Sequence, residues 1–414
     1  MQRRAVLRAG GAVGAAIGIA QATRSLVTGT DRDGFEPLGR VPVTGAAEAV
    51  VGDDGETAYL ATTDGFATVD IADPSDPTLL EERYPLSVDD ERFHHILDVK
   101  VDGDRLAVVG PADRTASPVF HGFVIYDVSD PADPVAVGEP YETGYHIHNC
   151  FLDGDVLYVV ANQDEENPLV VFDVSGDGPT EIGRWSLIDR EPEWGEVHWL
   201  VRYLHDVYVH DDVAALAHWN AGTYLLDVSD PADPQYISHV RETELETHHD
   251  LEREEAQLGL PGNDHYSAVD DTGELLAVGR EAWATGGEEP DGPGGIDLYD
   301  VSDPADPEKA ASIAAPAADD ASYRGGEWTT AHNFELRDGR LSSSWYQGGV
   351  KIHDVSDPAD PEELAHWRDT ETAAFWTARI AGPETIVASS TPQVPNAETD
   401  GALYTFHRNR QERS

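Results

Sequence analysis

The sequence is almost without cysteine, and this absence excludes several classes of protein. Cys150 is the single cysteine in 414 residues, so neither a disulfide framework nor a thiolate metal site can form. Cys150 lies among apolar residues in a strand-like segment, where we expect it to pack in the core. The sequence also lacks a Gly-x-Ser-x-Gly elbow, a phosphate-binding glycine loop and a His-Glu-x-x-His motif. The corresponding hydrolases, nucleotide-binding proteins and metalloproteases are therefore set aside.

Basic residues are scarce. The chain has 27 Lys plus Arg against 79 Asp plus Glu, a formal net charge of −52. Because no basic cluster is present, nucleic-acid binding is disfavoured. The acidic residues are spread evenly, which is typical of proteins adapted to molar salt, where repulsion is screened within about 3 Å. An acidic protein that binds basic partners is the alternative, although the charge has no evident focus.

Long hydrophobic runs are also missing, and the one apolar segment lies at the N-terminus. It follows Arg3-Arg4, is rich in glycine and alanine, and ends at Ala20-Gln21-Ala22. This segment resembles a twin-arginine export signal with an Ala-x-Ala cleavage site. We therefore expect an extracellular or cell-surface protein whose mature chain has no transmembrane domain. An uncleaved anchor is the alternative.

What the sequence has in abundance is one turn, Asp-Val-Ser-Asp-Pro-Ala-Asp-Pro. Asp and Ser side chains bond back to nearby backbone amides and start a turn, and each proline prevents a helix or a strand ladder from continuing. Each copy follows a short run of β-formers, so the turn predicts a repeated β-hairpin. Proline spacing and the lack of a closing Glu argue against a calcium loop. The copies begin at Asp127, Asp227, Asp300 and Asp354, with a near copy at Asp70 and a degraded copy at Asp173.

The segments around each turn predict the blades of a β-propeller. In the fourth unit, strands are expected at 204–209, 213–218, 223–226 and 235–240. Four short antiparallel strands in a repeat of about 50 residues are typical of a propeller blade. The last unit lacks its fourth strand, which Glu36–Val43 can supply. We therefore predict an all-β, seven-bladed propeller of four-stranded blades, closed by the N-terminal strand. The predicted boundaries are signal 1–22, linker 23–34, propeller 35–407 and polar tail 408–414.

Two strands carry a family resemblance. Residues 169–175 read Leu-Val-Val-Phe-Asp-Val-Ser and residues 122–128 read Gly-Phe-Val-Ile-Tyr-Asp-Val. They resemble the LVIVD-repeat proteins, a family of bacterial and archaeal propeller-like proteins that are mostly exported; with its acidity, this chain resembles a haloarchaeal type. The resemblance implies the architecture and export. It implies little about chemistry, because the family has no single agreed activity.

The face of the ring opposite the repeated turns is the candidate site. When the blades are aligned on the turn after the innermost strand, four consecutive blades have histidine at one position: His148, His205, His265 and His332. Four imidazoles at the rim of one channel can bind copper, iron or zinc, and Asp206 and Asn333, one residue further on, can orient them. Histidine inherited by duplication, which only fills a wet channel, is the alternative.

Other residues are expected to line the same pocket. His95 and Trp376 lie at or near the equivalent position in two further blades, and the loops between second and third strands supply His218, Arg280, Glu281 and Trp345. Arg280 and Glu281 can hold a polar ligand or pair with each other. The run His248-His249-Asp250 can reach over the channel as a lid, or it is part of a solvated acidic insert.

Two functions are compatible with this pattern. The first is a metal-dependent enzyme, in particular an oxidoreductase. In architecture and ligand type this is similar to the carotenoid oxygenases, which hold iron with four histidines on a seven-bladed ring. The second is a non-catalytic binding or scaffold propeller at the cell surface. Neither a substrate, whether small molecule or surface partner, nor an oligomeric state is indicated by the residues.

Overall fold

The computed structural model is a ring of seven four-stranded antiparallel sheets and one small hairpin. It describes residues 34–114, 118–162, 166–176, 178–249, 253–287 and 290–408. The predicted export signal, nearly all of the predicted linker and nearly all of the polar tail lie outside these ranges. The prediction of an all-β, seven-bladed propeller is confirmed.

The strands follow one another from the inside of each blade outwards. The chain enters with β1 (Gly39–Pro42), which belongs to the last blade. Blade 1 contains β2 (Ala49–Val51), β3 (Thr57–Ala61), β4 (Phe66–Asp70) and β5 (Thr78–Arg83). A separate hairpin, β6 (Leu86–Val88) and β7 (Glu91–Phe93), follows. Blade 2 contains β8 (Asp98–Asp102), β9 (Arg105–Gly110), β10 (Gly122–Asp127) and β11 (Val135–Glu142). Blade 3 contains β12 (His146–Asp153), β13 (Val156–Asn162), β14 (Leu169–Asp173) and β15 (Thr180–Trp185).

The remaining blades repeat this order. Blade 4 contains β16 (Asp206–His210), β17 (Val213–Ala217), β18 (Thr223–Asp227) and β19 (Gln235–Val240). Blade 5 contains β20 (Asp264–Val269), β21 (Leu275–Arg280), β22 (Ile296–Asp300) and β23 (Glu308–Ile313). Blade 6 contains β24 (Phe334–Arg337), β25 (Arg340–Ser344), β26 (Val350–Asp354) and β27 (Glu362–Trp367). Blade 7 contains β28 (Phe375–Ile380), β29 (Thr385–Ser390) and β30 (Ala402–His407), followed outwards by β1.

The ring is continuous. Each innermost strand contacts the innermost strand of the next blade, and β28 of blade 7 contacts β2 of blade 1. In blade 7, β1 pairs with β30 from Gly39 opposite Thr405 to Pro42 opposite Ala402. The Gly39 amide also donates to the Thr405 hydroxyl (3.0 Å). Strands from both ends of the propeller therefore share one sheet, an arrangement that leaves few unpaired edges.

The repeated turn connects the third and fourth strands as expected. In blade 4, the Asp227 carboxylate accepts from the Ser229 amide (2.9 Å) and hydroxyl (2.6 Å). These bonds lower the pKa of Asp227. Asp354 accepts from the amide (3.0 Å) and hydroxyl (2.6 Å) of Ser356 in the same way. These local hydrogen bonds thus stabilise the turn, and they engage the first Asp and the Ser of the motif.

The core lies between neighbouring blades. Between blades 2 and 3, Phe123 packs against Phe172, with ring centroids 5.1 Å apart, and Tyr141 closes on both rings. Full burial of one such side chain contributes about 1.5–3 kcal/mol. Cys150 belongs to this cluster and is fully buried, which confirms its expected packing role.

Short helical segments join some blades on one face of the ring. They are α1 (Leu187–Arg190), two 3-10 turns (Pro192–Glu196 and Trp199–Arg202), α2 (Leu245–His249) and α3 (Arg253–Leu258). In the part of the chain described, none of the helices has the length and apolar character needed to cross a membrane. His248 of α2 is buried against Trp194, with ring centroids 5.7 Å apart, and its Nε2 is 2.8 Å from the Thr243 hydroxyl. His248 is therefore buried within the insert and does not line the axial cavity; Asp250 lies outside the described residues.

Candidate metal centre in the axial cavity

A cavity of about 570 Å³ opens on the ring axis, on the face opposite the Asp/Pro turns. Its walls come from the starts of the innermost strands, from the loops between second and third strands, and from the segment before β16. These parts of a blade face the axis at one mouth of a propeller. The cavity therefore opens on the face that the sequence predicted for the site.

The four predicted histidines lie side by side along one wall. Ring centroids are 4.1 Å apart for His148 and His205, 3.7 Å for His205 and His265, and 4.6 Å for His265 and His332. Because they come from four consecutive blades, they form an arc around the axis. We call this set the histidine arc.

Backbone carbonyls hold three rings of the arc in one orientation. The Nδ1 of His205 is 3.0 Å from the His265 carbonyl oxygen, and that of His332 is 2.5 Å from the Trp376 carbonyl oxygen. The Nδ1 of His148 is 3.4 Å from the Ala112 carbonyl oxygen. A carbonyl only accepts, so Nδ1 carries the proton and Nε2 keeps its lone pair, as in histidines that bind metals. The Nε2 of His332 is buried without a hydrogen-bond partner.

The Nδ1 of His265 lies beside a carboxylate instead of a backbone carbonyl. Its Nδ1 is 3.1 Å from Glu281 Oε2, yet neither ring nitrogen of this buried imidazole makes a hydrogen bond of acceptable geometry. Two ligand atoms that bind the same metal ion also lie about 3 Å apart without forming a hydrogen bond to each other. The Tyr346 hydroxyl donates to the other oxygen, Glu281 Oε1.

His265, Glu281 and His332 form one compact donor group. Their ligand atoms all lie within 4.8 Å of one another, and no other His, Cys, Asp or Glu group in the described ranges does so. Two donors on one ion at about 2.1 Å lie at most ~4.2 Å apart, so small side-chain shifts suffice for shared binding. Of the four predicted ligands, the structure thus brings two together with a carboxylate. His148 and His205 continue the arc without joining this group.

The protonation states suit metal ligands. Burial lowers the pKa of His332 to about 3, and the charge of His265 acts in the same direction. Burial also holds the pKa of His205 far below its usual range. For Glu281, burial raises the pKa, but the attraction of His265 and His332 and the Tyr346 hydrogen bond outweigh it and lower the pKa to about 2. A neutral His332 imidazole and an ionised Glu281 carboxylate are forms that bind metal ions.

The other predicted pocket residues divide into two groups. His95, Glu281 and Trp376 line the cavity. His95 Nδ1 lies 3.6 Å from Asp113 Oδ2, and the Trp376 ring centroid lies 4.3 Å from that of His332.

His218, Arg280 and Trp345 lie outside the cavity lining, contrary to the prediction. His218 is buried between Trp185 and Tyr224, with centroids 5.9 and 5.6 Å away. The Trp345 indole nitrogen donates to the Ser343 hydroxyl (2.8 Å) in the blade core. In each loop the next residue faces the cavity instead, and at Trp219 and Tyr346 the backbone there has positive φ. Those neighbours are Trp219, Glu281 and Tyr346.

Arg280 does not pair with Glu281. Its guanidinium forms ion pairs with Asp297 (2.6 Å), Glu242 (3.1 Å) and Asp264 (3.2 Å) on the far side of the strand. This network satisfies Arg280 within blade 5. Glu281 instead contacts His265 and Tyr346.

Asp206 and Asn333 do not orient the imidazoles either. The Asn333 amide donates to Glu48 (2.5 Å), and Asp206 lies near the charges of Asp98 and Lys100. Burial raises the pKa of Asp206 well above its usual range, against the pull of Lys100. Both side chains belong to a group of buried polar residues that we call the polar belt: Glu48, Asp98, Lys100, Asp206, Asn333 and Arg379.

The sequence reasoning missed four aromatic residues that line the cavity. The missed residues lie in segments between blades, where the repeats cannot be aligned with one another. They are Trp199, Tyr203, Tyr323 and Trp328. The signal that could have found them is their local density. Two short segments, 194–203 and 323–328, contain five Trp and Tyr residues.

The fold and the site together define a class of protein, a seven-bladed β-propeller with a histidine-lined cavity on its axis. The LVIVD-repeat family model matches residues 54–84, 119–143 and 202–241, in blades 1, 2 and 4. The chain is therefore an LVIVD-repeat β-propeller, and one of the two quoted strands, 122–128, lies in a matched region.

Comparison with solved structures supports the fold alone. The chain is similar to the β-propeller domain of Cps50 (Swd1) from Myceliophteria thermophila, with 8% sequence identity and a TM-score of 0.59. The match covers 90% of this chain and 99% of that domain. No curated protein matches the chain significantly.

Proposed function

We propose that this propeller binds one transition-metal ion in its axial cavity and acts as a metal-dependent enzyme, an oxidoreductase by class. The observation that carries the proposal is the buried group His265, Glu281 and His332, whose donor atoms lie within 4.8 Å of one another beside an open cavity. An unpartnered buried imidazole nitrogen costs free energy unless something binds it. A metal ion at this position satisfies His265 and His332 together.

The donor set favours particular metals. Two imidazoles and one carboxylate suit iron, zinc or copper, whereas calcium requires six to eight oxygen ligands. Three protein ligands leave positions open for water or substrate, which is typical of a catalytic site. The bound ion would supply Lewis acidity or, for iron and copper, electron transfer. Glu281 would be held in place by Tyr346 and His332 by the Trp376 carbonyl.

Metal analysis of the full chain, purified in molar salt without chelators, tests the proposal. We expect close to one iron, zinc or copper ion per chain, and less than a tenth of that in His332→Ala and in Glu281→Gln. His218→Ala, which removes a buried histidine outside the cavity, is the matched control and should retain the metal. His148→Ala should also retain it, and metal loss there would favour the larger set of four histidines.

One result overturns the metal proposal. Folded wild-type chain that stays metal-free after incubation with each of the three ions would leave a non-catalytic binding propeller as the better explanation. Circular dichroism of every variant shows that metal loss does not simply report unfolding.

We also infer that the protein is exported to the cell surface or beyond by the twin-arginine route. The support is Arg3-Arg4 with Ala20-Gln21-Ala22, outside the described residues, and the resemblance to mostly exported proteins. Residues 1–34 fused to a reporter should direct its export in a host with this pathway. Replacing Arg3 and Arg4 by lysine should abolish export, and unchanged export of that variant would contradict the inference.

A further inference from the structure

We propose that the axial cavity binds a planar aromatic small molecule, neutral or anionic and of the phenol class, stacked between two aromatic walls next to His265 and Glu281. This inference rests on the proposed function, because the phenol oxygen would face the metal site. Stacking itself does not require the metal, so the two can be tested apart.

Two groups of aromatic side chains line the cavity. The first wall consists of Trp199, Tyr203 and Trp219, with successive ring centroids 5.8 and 5.2 Å apart. The second wall consists of Trp283, Tyr323, Trp328, Tyr346 and Trp376. Within it, Trp328 lies 4.9 Å from Trp283 and 5.4 Å from Tyr346, again between centroids.

The walls are rigid before any ligand binds. Each ring packs on another ring of its own wall, and the Trp328 indole nitrogen donates to the Tyr323 carbonyl (2.9 Å). Little side-chain entropy is therefore lost when a ligand enters. Flat, fixed π surfaces favour an offset-stacked or edge-on aromatic partner over a saturated one of similar size. The volume of about 570 Å³ lies within the range of small-molecule sites.

Backbone strain is concentrated at this cavity. Among the described residues other than Gly, Asn and Asp, four have positive φ: Thr63 (63°), His95 (60°), Trp219 (38°) and Tyr346 (48°). The last three line the cavity. The left-handed region is unfavourable for residues with a Cβ, and such strain clusters where ligands bind. Three blades thus adopt a strained turn that presents a ring to the cavity.

One aromatic ring at the mouth of the cavity is already covered by a cation. The Arg114 guanidinium lies 5.2 Å from the Trp199 ring centroid at the mouth, where a cationic ligand would be repelled. The Glu281 carboxylate is already engaged by His265 and Tyr346. Asp113 is 57% exposed at the rim, beside His95. The interior therefore offers ring faces and imidazoles, which suit a neutral or anionic aromatic molecule.

Calorimetric titration of the full chain in molar KCl with catechol, cyclohexane-1,2-diol and choline tests the inference. We expect catechol to bind at least tenfold more tightly than the saturated diol, and choline not to bind measurably. Trp219→Leu and Trp376→Leu should each weaken catechol binding about tenfold. Trp367→Leu, which changes a tryptophan of β27 outside the cavity, should leave it unchanged.

The metal-deficient variant His332→Ala separates the two proposals. If it still prefers catechol to the diol, with lower affinity than metal-loaded wild type, the aromatic site stands whether or not the native protein holds a metal. Two results would overturn the aromatic inference without affecting the metal proposal. In the first, metal-loaded wild type binds catechol and cyclohexane-1,2-diol with equal affinity. In the second, it binds choline more tightly than catechol. Equal catechol affinity of Trp219→Leu, Trp376→Leu and Trp367→Leu would also overturn it.

Discussion

At the scale of residues, the polar belt connects buried charged side chains from the innermost strands of different blades. Glu48, immediately before β2, is fully buried and accepts from Arg379 (2.5 Å) and from the Thr377 hydroxyl (2.9 Å), both in β28. Arg379 in turn donates to the Tyr266 hydroxyl (2.7 Å) of β20. Burial raises the pKa of Glu48, but Arg379 and Lys100 outweigh it and lower the pKa. The belt therefore ties the innermost strands of several blades together.

Replacing Glu48 by alanine tests this role. Removing one partner of a buried pair leaves an uncompensated charge, here on Arg379, and costs about 3–5 kcal/mol. Arg83→Ala, which breaks a pair with the exposed Asp133 (3.0 Å), is the control and should cost under about 1 kcal/mol. Denaturant unfolding in molar salt measures both. A loss for Glu48→Ala no larger than that of the control would contradict the role of the belt.

At the scale of elements, a glycine opens the third strand of several blades. Gly222, Gly349 and Gly401 have φ of 93°, 94° and 107°. A Cβ on Gly349 would lie 2.0 Å from the Trp367 carbonyl oxygen, at the end of the fourth strand. The other two positions are similar, with carbonyl oxygens at 2.3 Å. The third and fourth strands therefore approach so closely that only glycine fits.

Gly349→Ala should lower the free energy of unfolding by about 3 kcal/mol, since strain and steric overlap both act. Gly154→Ala is the matched control, because Gly154 has φ of 54° and a Cβ there meets nothing within 4 Å. The control should lose only the strain contribution, about 1–2 kcal/mol. Thermal and denaturant unfolding give the comparison. Equal losses would show that the close approach has no energetic consequence.

The strands and turns also show which features could be predicted from the sequence. The Asp/Pro turn and the strands before it have local causes, so blade 4 was predicted within two residues at each strand end. In the loops between second and third strands, the residue facing the cavity depends on a turn with positive φ at Trp219 and Tyr346. Nothing in the local sequence marks such a turn as left-handed. The prediction therefore selected His218 and Trp345, one residue too early.

At the scale of the whole molecule, the dominant feature is the net charge of −52. With 79 acidic residues and 27 basic ones, most carboxylates have no cation to pair with, and the closed ring holds them together on one surface. Their repulsion destabilises the compact state unless salt screens it.

We expect the melting temperature to rise steeply with KCl. The screening length falls from about 10 Å at 0.1 M to about 3 Å at 1 M salt, so most of the gain should come within this range. Sucrose of matched osmolality is the control, because it does not screen charge. A melting temperature that is flat in KCl, or that rises equally in sucrose, would contradict adaptation to high salt.

The sequence by itself determined the ring, the number of blades and the face that carries the cavity. These follow from a turn whose hydrogen bonds are local and from a repeat that can be counted. Only the tertiary structure decided that His265 and His332 meet Glu281 while His148 and His205 continue the arc, and that two groups of aromatic residues line the cavity. The physical reason is that contact between side chains of different blades depends on side-chain rotation and on segments distant in the chain, neither of which a repeat encodes.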